Sequence, residues 1–126
     1  MSSSITTSTA PVWPISLKVD AAKQVLTISF EGGEEFAIET ELLRTHSPSA
    51  EVQGHAPDQK VTVWGKRGVK IRDMVPTGNY AVRIVFDDGH DTGIFTWAYL
   101  RELGQDKPAL WQAYLSELEA KGLTRG

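Results

Sequence analysis

Tyr80-Ala81-Val82-Arg83-Ile84-Val85-Phe86, then Asp87-Asp88-Gly89-His90, then Asp91-Thr92-Gly93-Ile94-Phe95: this stretch decides the fold. Five of its first seven residues are aliphatic or phenyl, a run too short for a buried helix and rich in β-branched side chains, which predicts a central strand. Asp87-Asp88-Gly89-His90 reads as a hairpin turn, and the residues after it return as a paired strand.

Upstream, Pro76-Thr77-Gly78-Asn79 is a turn signal, and residues 61–64 and 69–75 read as short strands around the basic turn Gly65-Lys66-Arg67-Gly68. Nearer the start, Ile15, Leu17 and Val19 alternate with Ser16, Lys18 and Asp20, the period of a half-buried strand. Leu26, Ile28 and Phe30 form one face of a second strand, Gly32-Gly33 suits a tight hairpin, and residues 35–38 complete an antiparallel meander. Residues 39–44 predict one helical turn capped by Thr40. Residues 45–60, with Pro48, Gly54 and Pro57, form a loop long enough to suggest a partner-binding role.

Downstream the period changes. Thr96 caps a short helix over 97–103 with Gly104 as its stop, and Asp106 caps a second helix with Pro108 in its first turn. The apolar stripe of that second helix is Leu110, Trp111, Tyr114, Leu115 and Leu118; Glu117 and Lys121 make an i,i+4 pair, and Gly122 ends it. Strands followed by helices predict an α+β domain: a small antiparallel β-sheet domain of six to eight short strands with two C-terminal helices packed on it. The expected organisation is a disordered tail over 1–11, a single domain over 12–122 and a second tail over 123–126. Trp64 and Trp97 are expected in the core in preference to a partner-facing surface, because a small sheet needs large side chains.

Composition narrows the function. The 126 residues carry 13 Lys plus Arg against 16 Asp plus Glu, a net charge of −3 with no basic stripe, which argues against nucleic-acid binding. No long apolar run predicts a membrane span, and residues 1–10 lack the basic and apolar regions of a signal peptide, so the expected compartment is the cytoplasm. The absence of cysteine excludes disulfides, thiolate metal sites and cysteine nucleophiles. The residues two after His46, His55 and His90 are Pro48, Pro57 and Thr92, so no His-x-Asp/Glu pair starts an iron facial triad. HExxH, a phosphate-binding GxxxxGKS/T loop and a GxSxG elbow are all absent. Ser47, His90 and Asp88 make a triad only on paper, of a kind any chain of this size offers. The basic turn reads as a solvated hairpin. Asp87, Asp88 and Asp91 suit a hard cation, but Asp-Gly turns use such residues for geometry and solubility.

Four motifs in order carry a resemblance: Leu42-Leu43-Arg44 with Ser47-Pro48-Ser49-Ala50-Glu51; Gly78-Asn79-Tyr80-Ala81-Val82; Phe86 through Phe95; and Trp97-Ala98-Tyr99-Leu100. From about Pro14 to Leu103 the chain resembles the gamma-butyrobetaine hydroxylase-like N-terminal domain family, in a stand-alone bacterial form. In the hydroxylases this domain precedes a much larger iron- and 2-oxoglutarate-dependent catalytic domain, which 126 residues are not expected to hold, so the resemblance implies no enzyme. Those enzymes bind structural zinc through a Cys-x-Cys-x-x-Cys stretch and a later histidine. The histidine matches His90; Ser47, Ser49 and Val52 stand where the three cysteines are, so the resemblance implies that a tetrahedral zinc site is lost.

Two readings follow. In the first, the chain is a non-enzymatic accessory or protein-interaction module without a cofactor. The resemblance ties it to iron–sulfur or metabolic enzyme complexes, because family members also occur fused to Mrp-type ATPases. Its interaction surface is the 45–60 loop with Asp87, Asp88, His90, Asp91 and Trp97. In the second, it is a small metal-binding protein that holds iron or zinc weakly through His90 with His46 or His55 and Asp88 or Asp91. The plainer reading of His90 is a hairpin histidine packed on a neighbour and hydrogen-bonded to an Asp or a carbonyl. Edge strands in the meander leave room for a homodimer.

Overall fold

The structure, a computed structural model, describes residues 14–49 and 62–126. Among these, six strands form two three-stranded antiparallel sheets. β1 (Pro14–Val19), β2 (Val25–Phe30) and β3 (Glu35–Glu39) make the first, in that order, and α1 (Thr40–Thr45) follows. β4 (Ile71–Thr77), β5 (Ala81–Phe86) and β6 (Gly93–Thr96) make the second, with β5 in the centre as its apolar run predicts. α2 (Trp97–Gln105) packs on β3 and β6, and α3 (Lys107–Ala120) packs on α2. The predicted α+β architecture, with two helices after the sheets, is the one observed.

Register explains the core. Leu17 and Phe36 flank Ile28 across the first sheet, and Val19 and Ile38 flank Leu26, so one face of the meander is apolar throughout. In the second sheet Val82 pairs with Phe95, and Ile84 lies between Met74 and Gly93. The inward side chains of both sheets join Leu42 and Leu43 of α1 and Leu100 and Leu103 of α2 in one buried cluster. Each fully buried Leu, Ile or Phe contributes roughly 1.5–3 kcal/mol of transfer free energy. β5 alone supplies Val82, Ile84 and Phe86, so it anchors the hairpin that follows it.

Several expectations need correction, each for a physical reason. Ile15 is 66% exposed, because a register shift between Pro14 and Ser16 breaks the alternation there. Thr62, Val63 and Trp64 form no strand, and Trp64 is 56% exposed instead of in the core; Val61 lies outside the described residues. The turn at 65–68 is therefore not the tip of a hairpin. The strand expected over 69–75 starts at Ile71 and runs through Pro76, which an edge strand tolerates. Thr40 is the first helical residue of α1, not its cap: its hydroxyl donates to the Lys23 carbonyl at 3.2 Å. Thr96 does cap α2, accepting from the Tyr99 N–H. Gly104 does not stop that helix. It lies inside it, where a Cβ would fall 2.5 Å from Cγ of Phe36, so the glycine serves close helix–strand approach. Asp106 precedes α3 without a side-chain cap bond, and its own N–H continues the α2 ladder to the Glu102 carbonyl.

Candidate functional site

The chain leaves α1 through His46, whose N–H closes on the Leu42 carbonyl and whose own carbonyl accepts the Tyr99 hydroxyl at 2.6 Å. That fixes the direction of residues 47–49, which run beneath the hairpin between β5 and β6. Gly89, at φ +94°, allows the tight turn, closed by the Phe86 N–H on the His90 carbonyl at 2.9 Å. His90 is thereby turned inward. Its ring tilts against Phe86 with centroids 5.9 Å apart, and it is only 5% exposed.

Two side-chain bonds join the segments. Ser47 Oγ lies 2.9 Å from His90 Nε2, and Ser49 Oγ lies 2.7 Å from Thr92 Oγ1. Ser47 is fully buried and also accepts the Ser49 N–H at 3.4 Å. Gly93 is the residue that makes room, since a Cβ there would collide with the Ser47 hydroxyl.

Asp88 forms the second layer of the junction. Its Oδ2 accepts from Lys66 Nζ at 2.6 Å and from Arg44 Nε at 2.8 Å, while Oδ1 accepts the His90 N–H at 3.1 Å. Burial pushes the Asp88 carboxyl pKa up, but the hydrogen bonds from Lys66, His90 N–H and Arg44 outweigh it and bring it from 3.8 to about 2. The basic turn, expected to be merely solvated, thus commits Lys66 to the hairpin. Asp87 is exposed and exchanges two bonds with the backbone of Lys70, at 3.0 and 2.9 Å. Asp91 points outward, where Arg83 Nη1 donates to its carbonyl at 3.0 Å. Trp97 is half-buried, its indole N–H bonded to the Asn79 carbonyl at 3.0 Å.

The predicted residues are thus only partly brought together. Ser47, Ser49, Asp88 and His90 share one junction, while Asp87, Asp91 and Trp97 lie around it. His46 has other neighbours: its Nδ1 is 3.1 Å from the Leu42 carbonyl and its ring meets Tyr114 at 6.3 Å. Val52 and His55 lie outside the described residues. Ser47 and His90 do sit at nucleophile–base distance, but Ser47 is 0% exposed and offers a substrate no approach. Asp88 meets the His90 backbone, with its other oxygen held by two cations.

Zinc fares no better on donor chemistry. A thiolate site needs soft, anionic sulfur, and the matching positions hold two neutral hydroxyls and a valine with no donor at all. The imidazole nitrogen that faces the junction is at hydrogen-bond distance from one of those hydroxyls. These residues do not fit the ion. Among the described residues no group of three or more His, Cys, Asp or Glu side chains is gathered that could hold a metal.

Fold and junction together define a small two-sheet α+β domain whose hairpin is fastened by hydroxyl, imidazole and carboxylate contacts. The chain belongs to the gamma-butyrobetaine hydroxylase-like N-terminal domain family, whose model matches residues 17–101. Two solution structures determined by NMR are each 43% identical to it in sequence with TM-scores of 0.79; one match covers 93% of this chain and 87% of the other, and the second 92% and 91%. A crystal structure of a protein of unknown function of the DUF971 family, from Acidithiobacillus ferrooxidans, is 35% identical over 72% of this chain and 91% of that one, with a TM-score of 0.60. No curated protein matches the chain significantly. No helix among the described residues is long and apolar enough to cross a membrane.

Arg44 and Lys66 are members of the junction whose pairing with Asp88 no sequence pattern marks. They reach Asp88 from 44 and 22 positions away, a separation that no local pattern encodes.

Proposed function

We propose that the chain is a non-enzymatic accessory module that binds a protein partner through the outer side of the 87–91 hairpin and the adjoining face of β6 and α2. The inner side of the hairpin is spent on holding it in place, through His90, Asp88 and Gly93. What remains outward runs along β6: Asp91 with its ion-pair partner Arg83, then Ile94 at 41% exposed opposite Arg83, and at the far end Tyr80 at 57% exposed with half-buried Trp97. The Trp97 backbone N–H donates to the Tyr80 carbonyl at 3.0 Å, so these two aromatic residues are neighbours at the end of β6 away from Asp91. An aromatic and aliphatic patch with a charged rim, on a rigid support, is the composition of a protein interface. The observation that carries this reading is that division of labour between the inner and outer sides of the hairpin and β6. The family resemblance adds the setting: a complex that handles iron–sulfur clusters or carries out metabolic chemistry.

Co-purification from cells tests it, with the wild type compared with an Asp91→Lys, Ile94→Lys variant. Both substitutions are at exposed positions, so the variant keeps its thermal midpoint and loses the partner. Recovery of the same partner in the same amount by both proteins would refute the assignment of this surface.

A further inference from the structure

A separate arrangement lies where the chain leaves α3. Gly122, at φ +68°, turns the backbone so that residues 123–125 run beside the 65–67 turn. Gly65 N–H donates to the Thr124 carbonyl at 2.9 Å, and Arg67 N–H donates to the Arg125 carbonyl at 2.8 Å. The segment is thus held by its backbone, as an added peptide would be. Its arginine enters a niche. Nε and Nη2 of Arg125 donate to the two carboxylate oxygens of Glu41 at 3.0 and 2.8 Å, a fork-on-carboxylate pair. The guanidinium carbon lies 4.9 Å from the centroid of the Trp111 ring, and Tyr114 stands 5.7 Å from Trp111 as the next wall.

Glu41 gives the arrangement its meaning. Its side chain is 5% exposed, whereas that of Arg125 is 31% exposed, so the carboxylate belongs to the body of the domain and the arginine comes to it from outside. A buried carboxylate does little for stability that a well-packed apolar side chain would not do, and it becomes costly once its partner leaves. An ordinary surface ion pair would need neither the ring beneath the guanidinium nor the two amides that align the backbone. Carboxylate fork, aromatic face and backbone donors are together the means by which a protein reads an arginine within an extended peptide.

We propose that Glu41, Trp111 and the amides of Gly65 and Arg67 form an arginine-recognition site for an extended peptide segment, filled in this chain by its own residues 123–125. An arginine-bearing segment of a partner would bind by displacing them. The site is distinct from the 87–91 hairpin and stands whether or not that hairpin binds a partner.

Chemical rescue in the full chain tests it. Arg125→Ala empties the niche and lowers the thermal midpoint by roughly 5–10 °C. N-acetyl-arginine methylamide, at about ten times its dissociation constant, restores roughly 3–6 °C of that loss. The lysine analogue restores none, and neither compound acts on the Glu41→Gln, Arg125→Ala double variant. Should Arg125→Ala fail to fold, Arg125→Lys keeps the charge and the stem, and the arginine compound still raises its midpoint while the lysine compound does not. No rescue, equal rescue by lysine, or rescue that persists without the Glu41 charge would overturn the proposal.

Discussion

Replacing Asp88 with asparagine removes the anion on which two cations and one backbone amide converge. In the wild type the Asp88 carboxyl titrates at about 2 instead of 3.8, since the bonds from Lys66, His90 N–H and Arg44 outweigh the effect of burial. The folded chain therefore holds the deprotonated form more tightly than the unfolded chain does. Its contribution to stability is complete above about pH 4 and is lost as the pH falls toward about 2. A fall from 3.8 to about 2 corresponds to about 2.4 kcal/mol at neutral pH. The side chain is 18% exposed, and screening brings the expected figure down to about 1–2 kcal/mol. About half of it is gone at pH 3. The variant also leaves Arg44, 13% exposed, and Lys66, 24% exposed, without the charge between them. Urea unfolding of both proteins, followed by tryptophan fluorescence at about pH 7, 4, 3 and 2.5, measures this. The wild type should lead by about 1–2 kcal/mol at neutral pH, with a gap that halves near pH 3. A gap under about 0.5 kcal/mol at neutral pH, or one that does not shrink below pH 4, would refute the reasoning.

Two further outcomes follow from close contacts. Gly104→Ala should lower the thermal midpoint, although alanine in a helix interior is ordinarily worth roughly 1 kcal/mol over glycine. The new Cβ would meet Phe36 Cγ and Cβ at 2.5 and 2.6 Å, an overpacking cost of roughly 1–3 kcal/mol; an unchanged or higher midpoint would contradict it. Ser47→Ala removes the hydroxyl facing His90 Nε2, at a cost of roughly 1–3 kcal/mol. Amide deuterium exchange should then quicken at residues 87–93 and stay slow in β2, whereas an unchanged hairpin would show that the bond does not fasten it.

The parts of the fold legible in the sequence are those where one local signal dominates. β2 and β5 have clear periods or apolar runs, and their inward residues are the buried ones. Gly32 and Gly33 turn with positive φ where the hairpin needs it. Local pattern fails where distant contacts decide. Thr62, Val63 and Trp64 have strand composition but pair with no strand; instead the Val63 carbonyl accepts the Tyr114 hydroxyl at 2.8 Å. Gly104 has the composition of a stop, yet Phe36, far back in the chain, sets its role. The junction divides in the same way. Ser47, Ser49 and His90 stand at matching family positions, whereas the Ser47–His90 and Ser49–Thr92 contacts are not readable from spacing. The cations on Asp88 and the Glu41–Arg125 pair join residues 22 to 84 positions apart, which no periodicity encodes.

If the 47–49 segment and the hairpin are fastened by Ser47, Ser49, Thr92 and His90 in place of a metal centre, the fold must be indifferent to metal. Thermal unfolding of the purified chain, as isolated, with excess EDTA and with added zinc, measures that indifference. The midpoint should be the same in all three to within about 1 °C, since no ligand-linked term enters the stability. A midpoint that falls by several degrees in EDTA and is restored by stoichiometric zinc would contradict it.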